Sequence, residues 1–115
     1  MLIVEDDPDI ARTLQIRLQG IGVKVQIAYD ADSAGRLAHQ GQPDLVLLDV
    51  ALPDGNGFEV ADQVRTLVSA ATPLIFITAN GRADIRRMAE AYKPVAFFAK
   101  PYQPDELIST ISSAL

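Results

Sequence analysis

Apolar positions along the chain fall into two alternating patterns. Five short segments rich in Val, Ile, Leu and Phe predict strands, at residues 2–4, 23–27, 45–48, 74–77 and 95–98. Between and after these segments, apolar residues recur three or four positions apart, which is the spacing of one buried helix face. Five strands that alternate with helices predict an α/β fold with a parallel sheet.

Polar residues at the predicted helix starts support these boundaries. Asp and Asn side chains can accept hydrogen bonds from the first helical turn, and proline suits the first helical position. The candidate starts are Asp7-Pro8, Asp30 or Asp32, Asn56-Gly57, Asn80 and Pro104, and Gly20 or Gly22 can end the first helix. The predicted inward residues are Ile10, Leu14, Leu18 and Ile21; Ala34, Leu37 and Ala38; Ala61, Val64 and Val68; Ile85, Met88, Ala89 and Tyr92; and Leu107, Ile111 and Leu115.

The predicted strands differ in how evenly apolar they are. Residues 45–48 and 74–77 are apolar throughout, as in strands covered on both faces, whereas residues 23–27 alternate, as at a sheet edge. This contrast fits a doubly wound, five-stranded parallel sheet in the order 2-1-3-4-5, which is the flavodoxin-like (βα)5 arrangement. Ligands of such sheets bind beyond the carboxyl ends of the strands where the strand order reverses, here between strands 1 and 3.

Composition and charge fit one domain over residues 1–115 and exclude several kinds of protein. Apolar residues make up 49% of the 115, and there is no cysteine for a disulfide or a thiolate metal site. Ten Lys and Arg against fifteen Asp and Glu give a net charge of −5. The sequence has no basic patch of the kind that binds nucleic acid. No apolar run reaches the roughly 18–20 residues that cross a bilayer. We therefore expect a cytoplasmic domain without direct nucleic-acid or membrane contact.

Polar side chains follow four of the predicted strands and should meet at one rim of the sheet. Strand 1 leads into Glu5 and Asp6, strand 3 into Asp49, strand 4 into Thr78 and strand 5 into Lys100. Packed carboxylates repel one another, and Mg²⁺ is the natural compensation because it prefers oxygen ligands.

The proposed Mg²⁺ ligands come from two of these strand ends. Asp6 and Asp49 are the candidate direct ligands, Glu5 is expected to act through water, and the backbone carbonyl of Ala51 can supply a further oxygen. Beside a metal, an Asp carboxylate can attack phosphorus and form an acyl phosphate. The Lys100 ammonium and the Thr78 hydroxyl could each bind another phosphoryl oxygen.

The chain resembles the receiver domains of two-component response regulators. The resemblance rests on segments 2–7, 45–49 and 52–57, on Thr78-Ala79 and on Lys100-Pro101, taken in order and at the family's separations. It implies that Asp49 is the phosphoacceptor, that Glu5 and Asp6 hold Mg²⁺ and that Lys100 binds phosphate. It also implies a cis bond before Pro101.

The resemblance further implies how the domain is used. Family members receive phosphate from a histidine kinase or a histidine phosphotransfer protein and hydrolyse their own acyl phosphate, so turnover of a separate substrate is not expected. Thr78 is the implied switch hydroxyl, and Phe97 is the aromatic residue that moves with it. Their movement would change the surface of the fourth helix, fifth strand and fifth helix.

Three features depart from the family pattern. Residues 92–94 replace the usual small-residue turn, Ala51 has no polar side chain beside the path of attacking water, and residues 105–115 contain no Lys or Arg. The family's dimers through the fourth and fifth helices usually rely on basic residues in the fifth, so we expect a monomer or weak dimer. The limits of the sequence favour an excised domain, with a possible output domain outside this chain.

Other interpretations remain open from the sequence. The chain could be a receiver-like interaction module that is never phosphorylated, although the intact acidic site argues against this. A phosphatase would need a second acid where Ala51 stands, and a flavin protein would need a phosphate-binding first loop in place of acids. His39 is expected at the surface. Ile10 is expected to be partly core, with a possible contact to the phosphodonor.

Overall fold

The computed structural model describes residues 1–79 and 82–115, which form one α/β layer structure. Five parallel strands build the main sheet, and two very short strands form a separate hairpin. In chain order the strands are β1 Leu2–Val4, β2 Gln26–Ala28, β3 Val46–Asp49, β4 Ala51–Leu52, β5 Gly55–Asn56, β6 Leu74–Thr78 and β7 Ala96–Ala99. The helices are α1 Pro8–Gly20, α2 Ala31–Gly41, α3 Gly57–Leu67, α4 Ala83–Glu90 and α5 Pro104–Ala114.

The main sheet has the order β2-β1-β3-β6-β7, and every neighbouring pair is parallel. Counted without the small hairpin, this is the predicted order 2-1-3-4-5, so the predicted fold class is confirmed. The direction of winding reverses between β1 and β3, as expected. The carboxyl ends of these two strands therefore open onto the crevice where doubly wound sheets bind their ligands.

Helix starts follow the predicted capping chemistry in three cases. The side chain of Asp7 accepts hydrogen bonds from the N–H groups of Asp9 and Ile10 at the start of α1. Asp30, rather than Asp32, caps α2, and Asn56 caps α3. The predicted cap of α4, Asn80, lies outside the described residues.

The sheet separates two hydrophobic layers. Alternate residues of each central strand point to opposite faces, so Val4, Leu48 and Phe76 pack with α2 and α3. Ile3, Leu47, Ile75 and Ile77 pack on the other face against α1 and α5. Residues 45–48 and 74–77 are buried throughout, which explains why their sequence is apolar without alternation.

Some predicted details were wrong. Ile21, Met88 and Leu115 were expected to face inward, yet each exposes about half of its surface. Ile21 and Leu115 lie at or beyond a helix end, where the periodic pattern no longer describes which way a residue faces. Met88 lies inside α4, whose short inward face is supplied by Ile85 and Ala89 instead.

The second strand is shorter and lies further along the chain than predicted. Residues 23–27 were predicted as strand 2, but the ladder with β1 pairs only Gln26–Ala28. The N–H of Val23 donates to the carbonyl of Leu18 in the turn that ends α1. That hydrogen bond removes Val23 from the sheet, and its side chain packs in the core layer beneath α1 and α5.

The turn after α4 is tied to α3 by an aromatic cluster. The ring of Tyr92 stacks on Phe58 at 5.7 Å and meets Phe76 edge-on at 5.8 Å. Its hydroxyl donates a hydrogen bond to Asp62, 2.8 Å away. Burial and this acceptor raise the pKa of Tyr92 to about 12. Tyr92, the first residue of the unusual segment 92–94, thus anchors the end of α4 to α3.

Candidate functional site

The site is built where the main sheet's strands end. Asp49 and Thr78 are the last residues of β3 and β6, and Glu5 and Lys100 directly follow β1 and β7. Asp49 and Glu5 are almost completely buried, with side chains that expose 3% and 0% of their surface. The four strand ends therefore bring together the acids, hydroxyl and lysine that the sequence places far apart.

Lys100 joins the two buried acids. Its ammonium lies 2.7 Å from Oε1 of Glu5 and 2.7 Å from Oδ2 of Asp49, and it donates a hydrogen bond to each. Lys100 is itself mostly covered, and its backbone N–H donates to the carbonyl of Thr78. This backbone bond fixes the start of the lysine side chain next to the end of β6.

The three carboxylates of this site can hold a hard metal ion. Glu5, Asp6 and Asp49 each offer an oxygen, and these oxygens lie within 4.8 Å of one another. The second oxygen of Glu5, Oε2, is buried and has no hydrogen-bond partner among the residues that the structure describes. A buried carboxylate oxygen without a donor is costly unless a cation compensates it, so the site fits Mg²⁺.

Without such a cation, the negative charge of the buried carboxyl groups is only partly compensated. Burial raises the pKa of Glu5 to about 7, the neighbouring Asp49 adds to the rise, and the Lys100 ammonium opposes it. For Lys100, burial disfavours the charged form, but its hydrogen bonds to Asp49 and Glu5 outweigh burial and raise its pKa above the ordinary value. One ammonium thus compensates two buried acids only in part.

The loop after β3 holds the other oxygen of Asp49. The N–H of Ala51 donates to Oδ1 of Asp49 over 2.9 Å, while Oδ2 accepts from Lys100. Both oxygens of the predicted nucleophile are therefore oriented, one by the backbone and one by the lysine. Ala51 lies in β4, which pairs with β5 in the short hairpin that the sequence reasoning did not predict.

The two predicted switch residues lie on neighbouring strands. The side chain of Thr78 is buried at the end of β6, where Thr78 pairs with Ala99 of β7. Phe97 lies on β7 and is half-buried, with the guanidinium of Arg86 from α4 placed 4.8 Å from its ring centre. Arg86 therefore links the ring of Phe97 to α4, a contact that sequence periodicity could not indicate.

A groove lies between α1 and the start of α5. It has a volume of about 230 Å³ and is lined by Ile10, Leu14, Tyr102 and Pro104 among others. Ile10 is half-buried, as expected. The bond between Lys100 and Pro101 is cis. A second groove, lined by Ile10, Lys100, Pro101, Tyr102 and Pro104, gives a partly apolar approach to the lysine of the acidic site.

Several side chains near the site were not singled out from the sequence. Arg86 and Tyr102 belong to this group, and so does Asp54, which accepts hydrogen bonds from two N–H groups of α2. The Pro53-Asp54-Gly55 run signals a turn, but nothing in it shows which helix that turn meets. His39 is exposed on α2, as predicted.

Comparisons with known proteins agree with this geometry. Residues 1–112 match the family model of the response regulator receiver domain. The transcriptional regulatory protein DltR of Streptococcus agalactiae is 34% identical over 111 residues, covering 96% of this chain and 49% of DltR. The response regulator ArlR of Staphylococcus saprophyticus is 33% identical over 115 residues, covering 100% of this chain and 51% of ArlR. The chain spans about half the length of these curated relatives.

Solved structures give the same result. The non-phosphorylated receiver domain of HemR from Leptospira biflexa superposes with a TM-score of 0.91 at 32% identity, covering 98% of this chain and 90% of that one. The chemotaxis protein CheY4 of Vibrio cholerae superposes with a TM-score of 0.90 at 27% identity, covering 99% and 96%. None of the helices in the described part of the chain has the length and apolar character that crossing a membrane requires. The fold, the acidic site and the family match together show that this chain belongs to the response regulator receiver domains of two-component systems.

Proposed function

We propose that the domain accepts a phosphoryl group on Asp49, in a Mg²⁺-dependent transfer from a histidine kinase or a histidine phosphotransfer protein. One observation carries the proposal: the Lys100 ammonium lies 2.7 Å from both Asp49 and Glu5, with the Asp6 carboxylate at the same rim. A buried lysine beside a cluster of acids is suited to bind a phosphoryl group when one arrives. A structural ion pair alone would not call for a lysine shared by two buried acids at the ligand crevice.

Asp6 and Asp49 would hold Mg²⁺ directly, with the backbone carbonyl of Ala51 as a further oxygen ligand. Glu5 would act through water. Its Oε2 atom, which has no hydrogen-bond partner among the described residues, is the oxygen best placed to accept a hydrogen bond from that water. When bound, Mg²⁺ neutralises negative charge on the phosphoryl oxygens.

The transfer itself needs little from the protein beyond position and charge. An oxygen of the Asp49 carboxylate forms the new bond to phosphorus, and the bond between phosphorus and the donor's imidazole nitrogen breaks. The electron pair of the broken bond stays on that nitrogen. No base is needed, because a carboxylate nucleophile has no proton to lose. The Lys100 ammonium stabilises the negative charge on the phosphoryl oxygens.

The phosphoryl group would switch a distant surface through Thr78 and Phe97. The Thr78 hydroxyl would turn to a phosphoryl oxygen, and the ring of Phe97 would move into the space that opens. Because Arg86 lies over this ring, α4 would respond together with β7 and α5. This is a local charge event that biases a two-state element.

Residues 1–115 would act as one receiver domain, as a phosphoprotein switch that loses phosphate by self-hydrolysis rather than as an enzyme with a separate substrate. It would work in the cytoplasm as a monomer or weak dimer, without direct contact to nucleic acid or membrane. The phosphodonor would approach past Ile10, and any output domain would lie outside this chain.

A calorimetric titration tests the metal and phosphoryl sites together. Wild-type protein is titrated with Mg²⁺ and then with beryllofluoride, which mimics a phosphoryl group on an aspartate. We expect Mg²⁺ to bind and beryllofluoride to bind only when Mg²⁺ is present. Asp49→Asn removes the oxygen that beryllofluoride needs, and Asp44→Asn, an exposed acid away from the site, is the matched control.

Failure of wild-type protein to bind either ligand would contradict the proposal. It would favour the alternative of a receiver-like interaction module that is never phosphorylated. Equal beryllofluoride binding by Asp49→Asn would show that the phosphoryl site lies elsewhere.

A further inference from the structure

The turn between β4 and β5 is fastened to α2 by one side chain. Asp54 stands in this turn, and its two carboxylate oxygens accept hydrogen bonds from the N–H groups of Ala31 and Asp32, at 2.7 and 3.1 Å. These are the first two residues of α2, more than twenty positions earlier in the chain. The contact therefore joins two loops on the same rim of the sheet.

The other end of the hairpin is clamped onto the strand that carries Asp49. The N–H of Gly57 donates to the carbonyl of Val50 over 2.7 Å. A Cβ on Gly57 would come within 2.5 Å of the backbone oxygen of Asp49, so the returning chain lies directly against this backbone. The hairpin is thus held at its base by Gly57 and at its turn by Asp54.

Ala51 lies between these two fixed points. Its N–H donates to Oδ1 of Asp49 over 2.9 Å, and its partner across the hairpin is Asn56. The position of the hairpin therefore decides where the Ala51 N–H points, and with it the orientation of the Asp49 carboxylate. The Ala51 carbonyl, which we propose as a Mg²⁺ ligand, moves with the same peptide segment.

We infer that Asp54 is a positioning residue for phosphoryl transfer: by tethering the hairpin to α2, it holds Ala51 against Asp49 and keeps the metal site in shape. This inference rests on the proposed function of Asp49. Residues that orient metal ligands without touching the metal typically change metal affinity by about 10–100-fold when they are removed. Asp54 would act in this way, through the hairpin backbone.

The helix itself offers a control for simple capping. Asp30 caps the same helix, with its side chain accepting from the N–H of Ser33 at 2.8 Å, and that contact stays within residues 30–33. Loss of either acid removes acceptors from the first turn of α2 and should lower thermal stability. Only loss of Asp54 releases the hairpin. The pair Asp54→Ala and Asp30→Ala therefore separates helix capping from positioning.

The test follows the Ala51 amide by ¹⁵N–¹H correlation NMR, first without metal and then during a Mg²⁺ titration. We expect Asp54→Ala to shift the Ala51 amide proton upfield, because its hydrogen bond to Asp49 weakens, and to raise the Mg²⁺ Kd about tenfold. Asp54→Asn keeps an acceptor oxygen and should fall between wild type and Asp54→Ala. Asp30→Ala should lower Tm but leave the Ala51 amide and the Kd unchanged.

The inference is overturned if Asp54→Ala lowers Tm as Asp30→Ala does while the Ala51 amide and the Kd stay at their wild-type values. Asp54→Asn decides the question by the same two readouts if Asp54→Ala does not fold. If wild-type protein binds no Mg²⁺, the proposed function fails, and the metal-free Ala51 amide still decides whether Asp54 positions the hairpin.

Discussion

Lys100 and Asp49 are joined by a hydrogen bond of 2.7 Å although Asp49 ends β3, Lys100 follows β7 and these two strands are not neighbours in the sheet. β6 lies between β3 and β7, so the lysine side chain reaches across the end of β6 to meet the aspartate. The bond holds the positive charge at the place where phosphoryl oxygens would arrive. It also leaves one cation to compensate two buried acids.

Replacement of Lys100 should slow phosphorylation strongly. Lys100→Met keeps the length of the apolar stem but removes the charge that would stabilise the transferring phosphoryl group. Loss of one such stabilising donor typically costs about 100-fold in rate. The measurement is the rate of phosphorylation by acetyl phosphate with saturating Mg²⁺, followed by intact-protein mass spectrometry.

The exposed Lys24 offers the control for this change. Lys24→Met alters the net charge equally and should keep the wild-type rate. A Lys100→Met protein that reacts as fast as Lys24→Met would show that the ammonium has no part in the transfer.

Glu5 should make the metal-free domain less stable as pH rises. Its pKa is about 7 in the folded protein against 4.5 ordinarily, so the folded state binds the proton more tightly. The stabilising contribution is therefore fully present below pH 4.5, is lost as pH rises towards 7 and stays lost above it. The shift corresponds to about 3 kcal/mol.

Urea denaturation with EDTA at several pH values between 4.5 and 8 measures this effect. We expect the unfolding free energy of Glu5→Gln to exceed that of wild type increasingly as pH rises. The exposed Glu90 at the end of α4 provides the matched control, because Glu90→Gln leaves Glu5 and its neighbours unchanged and should keep the pH dependence of wild type. Parallel curves for wild type and Glu5→Gln would contradict the raised pKa.

The contact of Arg86 with Phe97 should affect both stability and the position of the ring. Arg86→Met removes the cation above the ring, which is worth about 0.5–1 kcal/mol at an exposed site. We expect a loss of this size in urea denaturation, and stronger nuclear Overhauser contacts between the Phe97 ring and Thr78. Arg87→Met changes the neighbouring exposed arginine and should alter neither. Identical ring contacts in both variants would exclude a role of Arg86 in holding Phe97.

The central strands of the sheet were predicted well because a strand that is buried on both faces is apolar at every position. Residues 45–48 and 74–77 had to be apolar throughout, and this identified the central strands. The edge strand was placed less accurately, since Val23 and Val25 keep an alternating pattern while lying outside the ladder. Periodicity records which side chains are buried, and here a core loop shared that pattern.

The site residues could be proposed from the sequence because strand ends are fixed by the fold. Once β1, β3, β6 and β7 are placed, Asp49 and Lys100 must lie on one rim. The direct hydrogen bond of Glu5 to Lys100 was not foreseen, because Glu5 was considered only for its role towards Mg²⁺. Whether a side chain meets a neighbour or solvent depends on distances that strand order does not give.

Contacts between distant loops could not be predicted for a similar reason. From the sequence, Asp54 is an ordinary turn residue. Its partners in α2 depend on the orientation of the β4–β5 hairpin relative to that helix. Met88 fits the periodic pattern of α4 but is exposed, because the short helix meets the core only through Ile85 and Ala89. Local pattern fixes the elements, and the packing between them decides such details.

The residue that carries the phosphoryl group decides whether Asp49 is the phosphoacceptor. Wild-type protein is incubated with acetyl phosphate and Mg²⁺, and the acyl phosphate is located by reductive cleavage or labelling followed by peptide mass spectrometry. We expect one added phosphoryl group, located on Asp49, and none when EDTA replaces Mg²⁺ or when Asp49 is changed to Asn. A phosphoryl group on any other residue, or unchanged labelling of Asp49→Asn, would contradict this assignment.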